Sequence, residues 1–229
     1  YNDLKYVCET CIKYQEAKPA QLKEPMQSQP IPTERWQIVS TDIFSIKKAQ
    51  YLLIVDNLTK YWGFEELEDL TADETIKQSK KIFARHGIPE VIISDNGPHF
   101  TSQEYKKFAK GWEFMHHTSS PYHPKGNGTA EAAVKQVKGI LKKSEDPWLA
   151  VLEHRNTPDS LASPNEKLIS RRTRSTLPIK KELLQPRIIS TKEIMQQFRR
   201  RKKIKSIMID VRKRMILCSK CRWEEVSKK

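Results

Sequence analysis

Long apolar runs are missing from this 229-residue chain. The longest is YLLIV at 51–55, far short of the ~18 residues of a membrane-spanning helix, so no membrane partner is expected. No stretch reads as a secretory signal, and the chain starts at Tyr1 and not at Met, as a piece of a longer polypeptide would. Cysteine is scarce: four residues in two CxxC pairs, Cys8/Cys11 and Cys218/Cys221. Without a secretory signal, thiols or zinc ligands are expected in place of disulfides. The gap between the pairs far exceeds the ~15–20 residues of a local zinc ribbon, so they are two half-sites at most. Acid is in short supply as well, with 28 Asp and Glu against 42 Lys and Arg, a net charge of +14.

That surplus is local. Residues 187–229 hold 15 basic and 4 acidic side chains, so the remainder is nearly balanced. A basic arm of this kind suits a polyanion, nucleic acid before anionic membrane; the alternative is a solvated tail. Three zones follow: 1–30, a small polar module plus linker; 31–184, which carries the periodic signals of one medium domain; and 185–229, a helical or disordered basic arm. No internal repeat is present.

The middle zone alternates strand and helix patterns. WQIVSTDIF reads as a strand, and QYLLIVDNLTKYWGFEEL as two strands joined at 56–60. TADETIKQSKKIFARHG reads as a helix with a Thr71/Glu74 capping box and a Gly87 stop. EVIISD has the apolar continuity of a central strand covered on both faces. A helix with a Thr101/Glu104 capping box, an edge strand (EFMHHTSS), and a loop (PYHPKGNG) come next. TAEAAVKQVKGILKKS is the clearest helix. At ~100° per residue, Ala130, Val134, Val137 and Leu141 share one flank, with Ala133 and Ile140 behind them. Glu131 lines up with Lys135, Lys138 and Lys142, a pattern that ordinary surface i,i+4 pairs also produce.

Three acids stand at unusual places. Asp42 interrupts an apolar strand, where a carboxylate buried without a partner costs several kcal/mol. Asp95 ends a buried strand, and Glu131 opens a helix. Clustered carboxylate oxygens suit Mg²⁺ or Mn²⁺, and without a cation at least one of three close carboxyls tends to keep its proton. Thirty-five residues separate Asp95 from Glu131. That spacing, with IFARHGIPEVIISDNGPHFTSQEYKKFA, TSSPYHPKGNGTAEAAVKQVKGILKKS and HRNTPDSLASPNEKLISRRTRSTLP, resembles the catalytic core of retroviral and gypsy-type retrotransposon integrases over roughly residues 6–185.

The resemblance implies a ribonuclease H-like α/β fold, a mixed five-stranded sheet flanked by helices. It implies that Asp42, Asp95 and Glu131 hold two Mg²⁺ or Mn²⁺ for DNA 3′-end processing and strand transfer. It further implies DNA-element ends and target duplex as partners, self-association, and the nucleus as compartment. Lys135, Lys138 and Lys142 would then position phosphates, and His123 would contact DNA from its loop. Cys8 and Cys11 resemble the latter half of a His-His-Cys-Cys zinc site, an incomplete half-site unless upstream His ligands supply the rest. Cys218 and Cys221 have no counterpart. Ala132, SIKKAQ after the Asp42 strand, and ASPNEKLIS differ from related cores. The same residues also suit a DNA-binding remnant, impaired or adopted by a host, or a metal nuclease of the same fold.

Overall fold

The computed structural model describes residues 31–119 and 127–200, all within the unit Ile31–Lys229. Cys8, Cys11, His123, Cys218 and Cys221 lie outside the described residues, as do the module at 1–30 and the arm beyond 200.

The elements run β1 (Ile38–Ile46), β2 (Ala49–Asp56), β3 (Trp62–Leu67), α1 (Ala72–His86), β4 (Val91–Ser94), α2 (Pro98–Thr101), α3 (Gln103–Gly111), β5 (Met115–Thr118), α4 (Gly128–Lys143), α5 (Pro147–Asn156) and α6 (Pro164–Ile169). A 3₁₀ turn follows at Lys181–Leu184, and residues 191–200 are helical (α7). The sheet order is β3-β2-β1-β4-β5. β1, β2 and β3 pair antiparallel, whereas β4 joins β1 and β5 in parallel. This is the expected mixed sheet of five strands, with EFMHHTSS at its edge.

Alternation along β2 explains the layering. Leu52 and Ile54 face one core with Ile82, Phe83, Tyr105 and Phe108, under α1 and α3. Leu53 and Val55 face a second core with Ala130, Val134, Val137 and Val151, under α4 and α5. A strand buried on both sides needs apolar residues at both parities, which is why 52–55 reads as an unbroken apolar run. Burying a Leu- or Ile-sized side chain is worth ~1.5–3 kcal/mol, so this central strand anchors both layers.

Local devices differ from the sequence expectation at two helix starts. Thr71 does cap α1, accepting from Glu74 N at 3.2 Å. The reciprocal half of the box is absent because Asp69 Oδ1 already takes the Thr71 N–H at 3.0 Å. Glu74 turns instead to Gln78 and, at 3.0 Å, to Lys77. α3 is capped by Ser102, which accepts from Tyr105 N at 3.1 Å, and not by Thr101. Thr101 is committed to the preceding short α2, donating its hydroxyl to Gly97 O. A complete capping box occurs at Ser163/Glu166, with Pro164 at the first helical position.

The turn between β2 and β3 is built on Asp56, which is fully buried. Its carboxylate accepts from Leu58 N at 3.3 Å, Thr59 N at 3.1 Å and Thr59 Oγ1 at 2.5 Å. Burial pushes its pKa up and these donors oppose the push. A buried polar group is tolerated when satisfied in this way.

Two histidines are held neutral. His116 Nε2 lies 2.8 Å from Ser94 Oγ, and burial, then His117 and Lys106, pull its pKa down to about 4. His86 sits against Trp36 and Tyr61, with ring centroids 4.9 and 5.1 Å away. Burial, then Arg85 and Arg155, lower it to about 4 as well. Each folded pKa lies below the unfolded value, so the stability linked to these groups is complete above ~6.5 and is lost as pH falls towards 4. Thermal unfolding followed at pH 7.5 and 4.5 should therefore find His116→Gln less costly at the lower pH than at the higher. An equal cost at both would show that His116 is not held neutral.

Candidate active site

Asp42 lies on β1 beyond the point where β4 stops. β1 and β4 pair in parallel as Ile38↔Val91, Val39↔Ile92 and Ser40↔Ile93. Continued by two residues, the same offset sets Asp42 beside Asp95. Neighbouring strands run ~4.8 Å apart, so parallel pairing brings two acids 53 positions apart in sequence to one level at the carboxyl end of β4. Asp42 shares its parity with Phe44, which packs in the core under α4. Its side chain therefore belongs to the face that α4 covers.

The start of α4 is tied to this place. Asn127, buried at its N-terminus, donates from Nδ2 to Thr41 O at 2.9 Å, one residue before Asp42. Ala130, Ala133, Val134 and Val137 bury the flank of the helix that the sequence pattern marked as apolar. Glu131 stays exposed in the first turn, on the side turned from that core.

Electrostatics connects the three acids. Asp42 has its pKa pushed up to about 6, first by burial, then by the negative charge of Asp95 and, more weakly, of Glu131. A hydrogen bond from the Ile43 backbone and the charge of Lys138 work against this. Asp42 thus feels both other carboxylates. Among the described residues, however, no three His, Cys, Asp or Glu side chains are gathered tightly enough to hold a metal ion. The acids share one electrostatic neighbourhood without a closed cage of oxygens. The donor set, three carboxylates with an uncompensated negative field at Asp42, fits hard divalent cations of the Mg²⁺ or Mn²⁺ kind.

The turn after Asp95 has steric reasons. Gly97 N donates to Asp95 Oδ1 at 3.2 Å, and Pro98 opens α2. A Cβ on Gly97 would fall 2.8 Å from His99 Nε2 and 3.1 Å from Asp95 Oδ1. The φ of Gly97 is an ordinary −61°, so glycine is needed there for space and not for backbone freedom. His99 received no role from the sequence. Its Nε2 is buried and has no hydrogen-bond partner among the described residues, and its pKa is lowered by burial against the opposing charge of Asp95. The signal available in the sequence was its place two residues after Gly97, which does not reveal which way the ring turns.

The lysine row divides. Lys138 is half-buried, with Nζ 5.8 Å from the centroid of the Phe44 ring, and acts as a countercharge to Asp42. Lys135 and Lys142 are exposed. Helical spacing placed all three in line with Glu131; the contact with β1 that singles out Lys138 is tertiary.

Residues 31–124 match the integrase core domain family. Glu131 lies beyond the matched stretch. The chain is 30% identical over 190 residues to an uncharacterised protein of Caenorhabditis elegans, covering 78% of this chain and 15% of that protein. It is 30% identical over 115 residues to the Pol-related polyprotein of the mouse intracisternal A-particle MIA14, covering 50% and 13%. The chain thus spans about one seventh of the length of these relatives. Its fold is similar to a chain of the simian T-cell lymphotropic virus intasome, solved in complex with PP2A regulatory subunit B56 gamma (TM-score 0.61, 19% identity, 79% of this chain and 70% of that one). It is also similar to the catalytic core domain of BIV integrase (TM-score 0.51, 20% identity, 58% and 93%). The mixed sheet with its flanking helices is therefore the ribonuclease H-like fold of integrase cores, and residues 31–124, within that sheet and its helices, are similar to the integrase core domain family.

Proposed function

We propose that this domain is a divalent-metal-dependent polynucleotidyl transferase that trims DNA 3′ ends and joins them to a target duplex. The observation that carries the proposal is the parallel pairing of β1 with β4, whose offset continued past Ser40 and Ile93 brings Asp42 level with Asp95, together with the action of both Asp95 and Glu131 on the Asp42 carboxyl. The match of residues 31–124 to the integrase core domain family supports it, as do the names of the proteins the chain resembles.

Asp42, Asp95 and Glu131 would hold the cations. Two divalent ions in such a site supply Lewis-acid activation of the attacking oxygen and stabilisation of the leaving 3′-oxygen in an in-line displacement. The protein's own part is arrangement and charge. Continued by two residues, the strand pairing would set the Asp42 and Asp95 carboxylates at one level, and Asn127 ties the start of α4, the helix that carries Glu131, to Thr41 on β1. Lys138 lowers the electrostatic cost of ionising Asp42. Lys135 and Lys142, exposed on α4, would meet phosphates and orient the duplex without reading sequence. No protein nucleophile is required, because water or a DNA 3′-hydroxyl attacks phosphorus directly. A chromosomal target would place the reaction in the nucleus, and joining two element ends would call for more than one copy of the chain.

A second reading, a DNA-binding remnant without catalysis, is separated from the first by one assay. Incubating a short duplex with Mn²⁺ should give strand-transfer products with the wild type. Asp95→Asn should lower them by ~10³-fold or more while leaving DNA affinity within about threefold. Equal background in both proteins would leave the remnant standing, and nicking without joining would point to a nuclease.

The crowding of carboxylates has a thermodynamic counterpart. Displacement of the Asp42 pKa to about 6 corresponds to about 3 kcal/mol at ~1.4 kcal/mol per tenfold, which solvent screening at a half-buried group reduces to roughly 1–2. Asp42→Asn should therefore raise the metal-free melting temperature at pH 7 by about 2–6 °C and abolish strand transfer. Mn²⁺ should stabilise the wild type and not the variant. A wild type whose melting is indifferent to millimolar Mn²⁺ would contradict the assignment of these acids.

A further inference from the structure

The basic arm begins inside the fold. Ile189 and Ile194 are 2% and 1% exposed and pack with Leu58 and Ala162 in a third apolar cluster. Arg187 N donates to Ser170 O at 2.7 Å. The guanidinium of Arg35 donates to Ile189 O and, at 2.8 Å, to Ser170 Oγ. α7 starts with reciprocal hydrogen bonds between Ser190 and Glu193. Its Gln197 donates to Asp159 Oδ1 at 3.0 Å and Ser160 Oγ at 2.6 Å. The charge pattern alone predicted an arm from 185 onward; burial of Ile189 and Ile194 roots its first turns on the β2–β3 turn.

One side chain then links the far end of α7 to the start of α4. Lys60 Nζ lies 5.2 Å from the centroid of the Phe198 ring and 3.4 Å from Thr129 Oγ1. Thr129 stands two residues before Glu131. Lys60 has φ 64°, a left-handed conformation that Gly or Asn would adopt more cheaply. Neither could span the gap to Thr129 and Phe198, which accounts for a long side chain in that position. Arg199 and Arg200, both exposed, follow Phe198 directly.

We infer that Arg199 and Arg200, carried to a fixed place beside the first turn of α4 by the docked α7, form a binding surface for the phosphates of duplex DNA that lies across the active site. The inference rests on the DNA reading above. Chemistry selects the occupant: two exposed guanidiniums at consecutive positions of α7 present donors and charge that match a polyphosphate backbone. Docking matters because a charge held at the right place loses less freedom on binding than one on a loose tail. It also keeps the contact in step with the carboxylates of the site.

The test uses the full chain and a fluorescent 20-base-pair duplex, with affinity measured across a salt series. Arg199→Ala/Arg200→Ala should weaken binding about tenfold at low salt and reduce the slope of log K against log salt by about 1.8, from ~0.9 per phosphate contact. The same double substitution in an Ile194→Asp background, where α7 is undocked, should cost less than threefold. Phe198→Ala gives a milder undocking that leaves the apolar cluster intact, should Ile194→Asp lose its cooperative melting. Equal losses in docked and undocked proteins would overturn the inference, since the arginines would then act as part of a free tail. No loss in the wild-type background would overturn it too, while DNA binding and the transferase reading survived. Absence of any DNA binding by the wild type would sink both readings at once.

Discussion

Parallel pairing of β1 with β4 is the constraint on which the site depends. It converts a separation of 53 residues into lateral neighbours and does so with backbone hydrogen bonds that are indifferent to the side chains they align. The carboxylates do not attract one another; they are forced together by a sheet whose stability lies elsewhere, in the apolar layers on either face of β2. A slip of one residue in that pairing would send Asp42 to the opposite face, away from α4.

Placement of the third acid uses a different device. α4 docks by its small apolar flank, and Ala130 and Ala133 let the helix come close to the sheet. The Asn127–Thr41 hydrogen bond then fixes its axial position. The resulting concentration of negative charge is opposed by Lys138 and is left partly uncompensated at Asp42. Sites that act on charged substrates commonly accept such a local cost, and neighbouring packing bears it. Gly97 has a part in the same arrangement, because a Cβ there would displace the His99 ring and crowd the Asp95 carboxylate.

Much of the fold was legible along the chain. Strands at 38–46, 49–56 and 62–67 follow from β-branched and apolar runs broken by polar turns, and α4 from its periodicity. The capping boxes were read less well. A box motif states which partners are available, not which are already engaged, and Asp69 had taken the Thr71 N–H. The boundary of the basic arm failed to follow charge for a similar reason. Ile189 and Ile194 are two apolar residues in a basic stretch, and only their contact with Leu58 shows that the fold continues past them.

Sequence by itself singled out the three acids as candidates and gave the helix and strand types around them, because periodicity and residue chemistry are local properties. It also carried the family likeness. What the tertiary structure decided was proximity: that Asp42 lies level with Asp95, that Lys138 among three aligned lysines reaches β1, that the His99 ring is turned in against Gly97, and that Lys60 joins α7 to the start of α4. Proximity depends on strand register and helix docking, which arise from the packing of residues far apart in the chain, and no local pattern contains them.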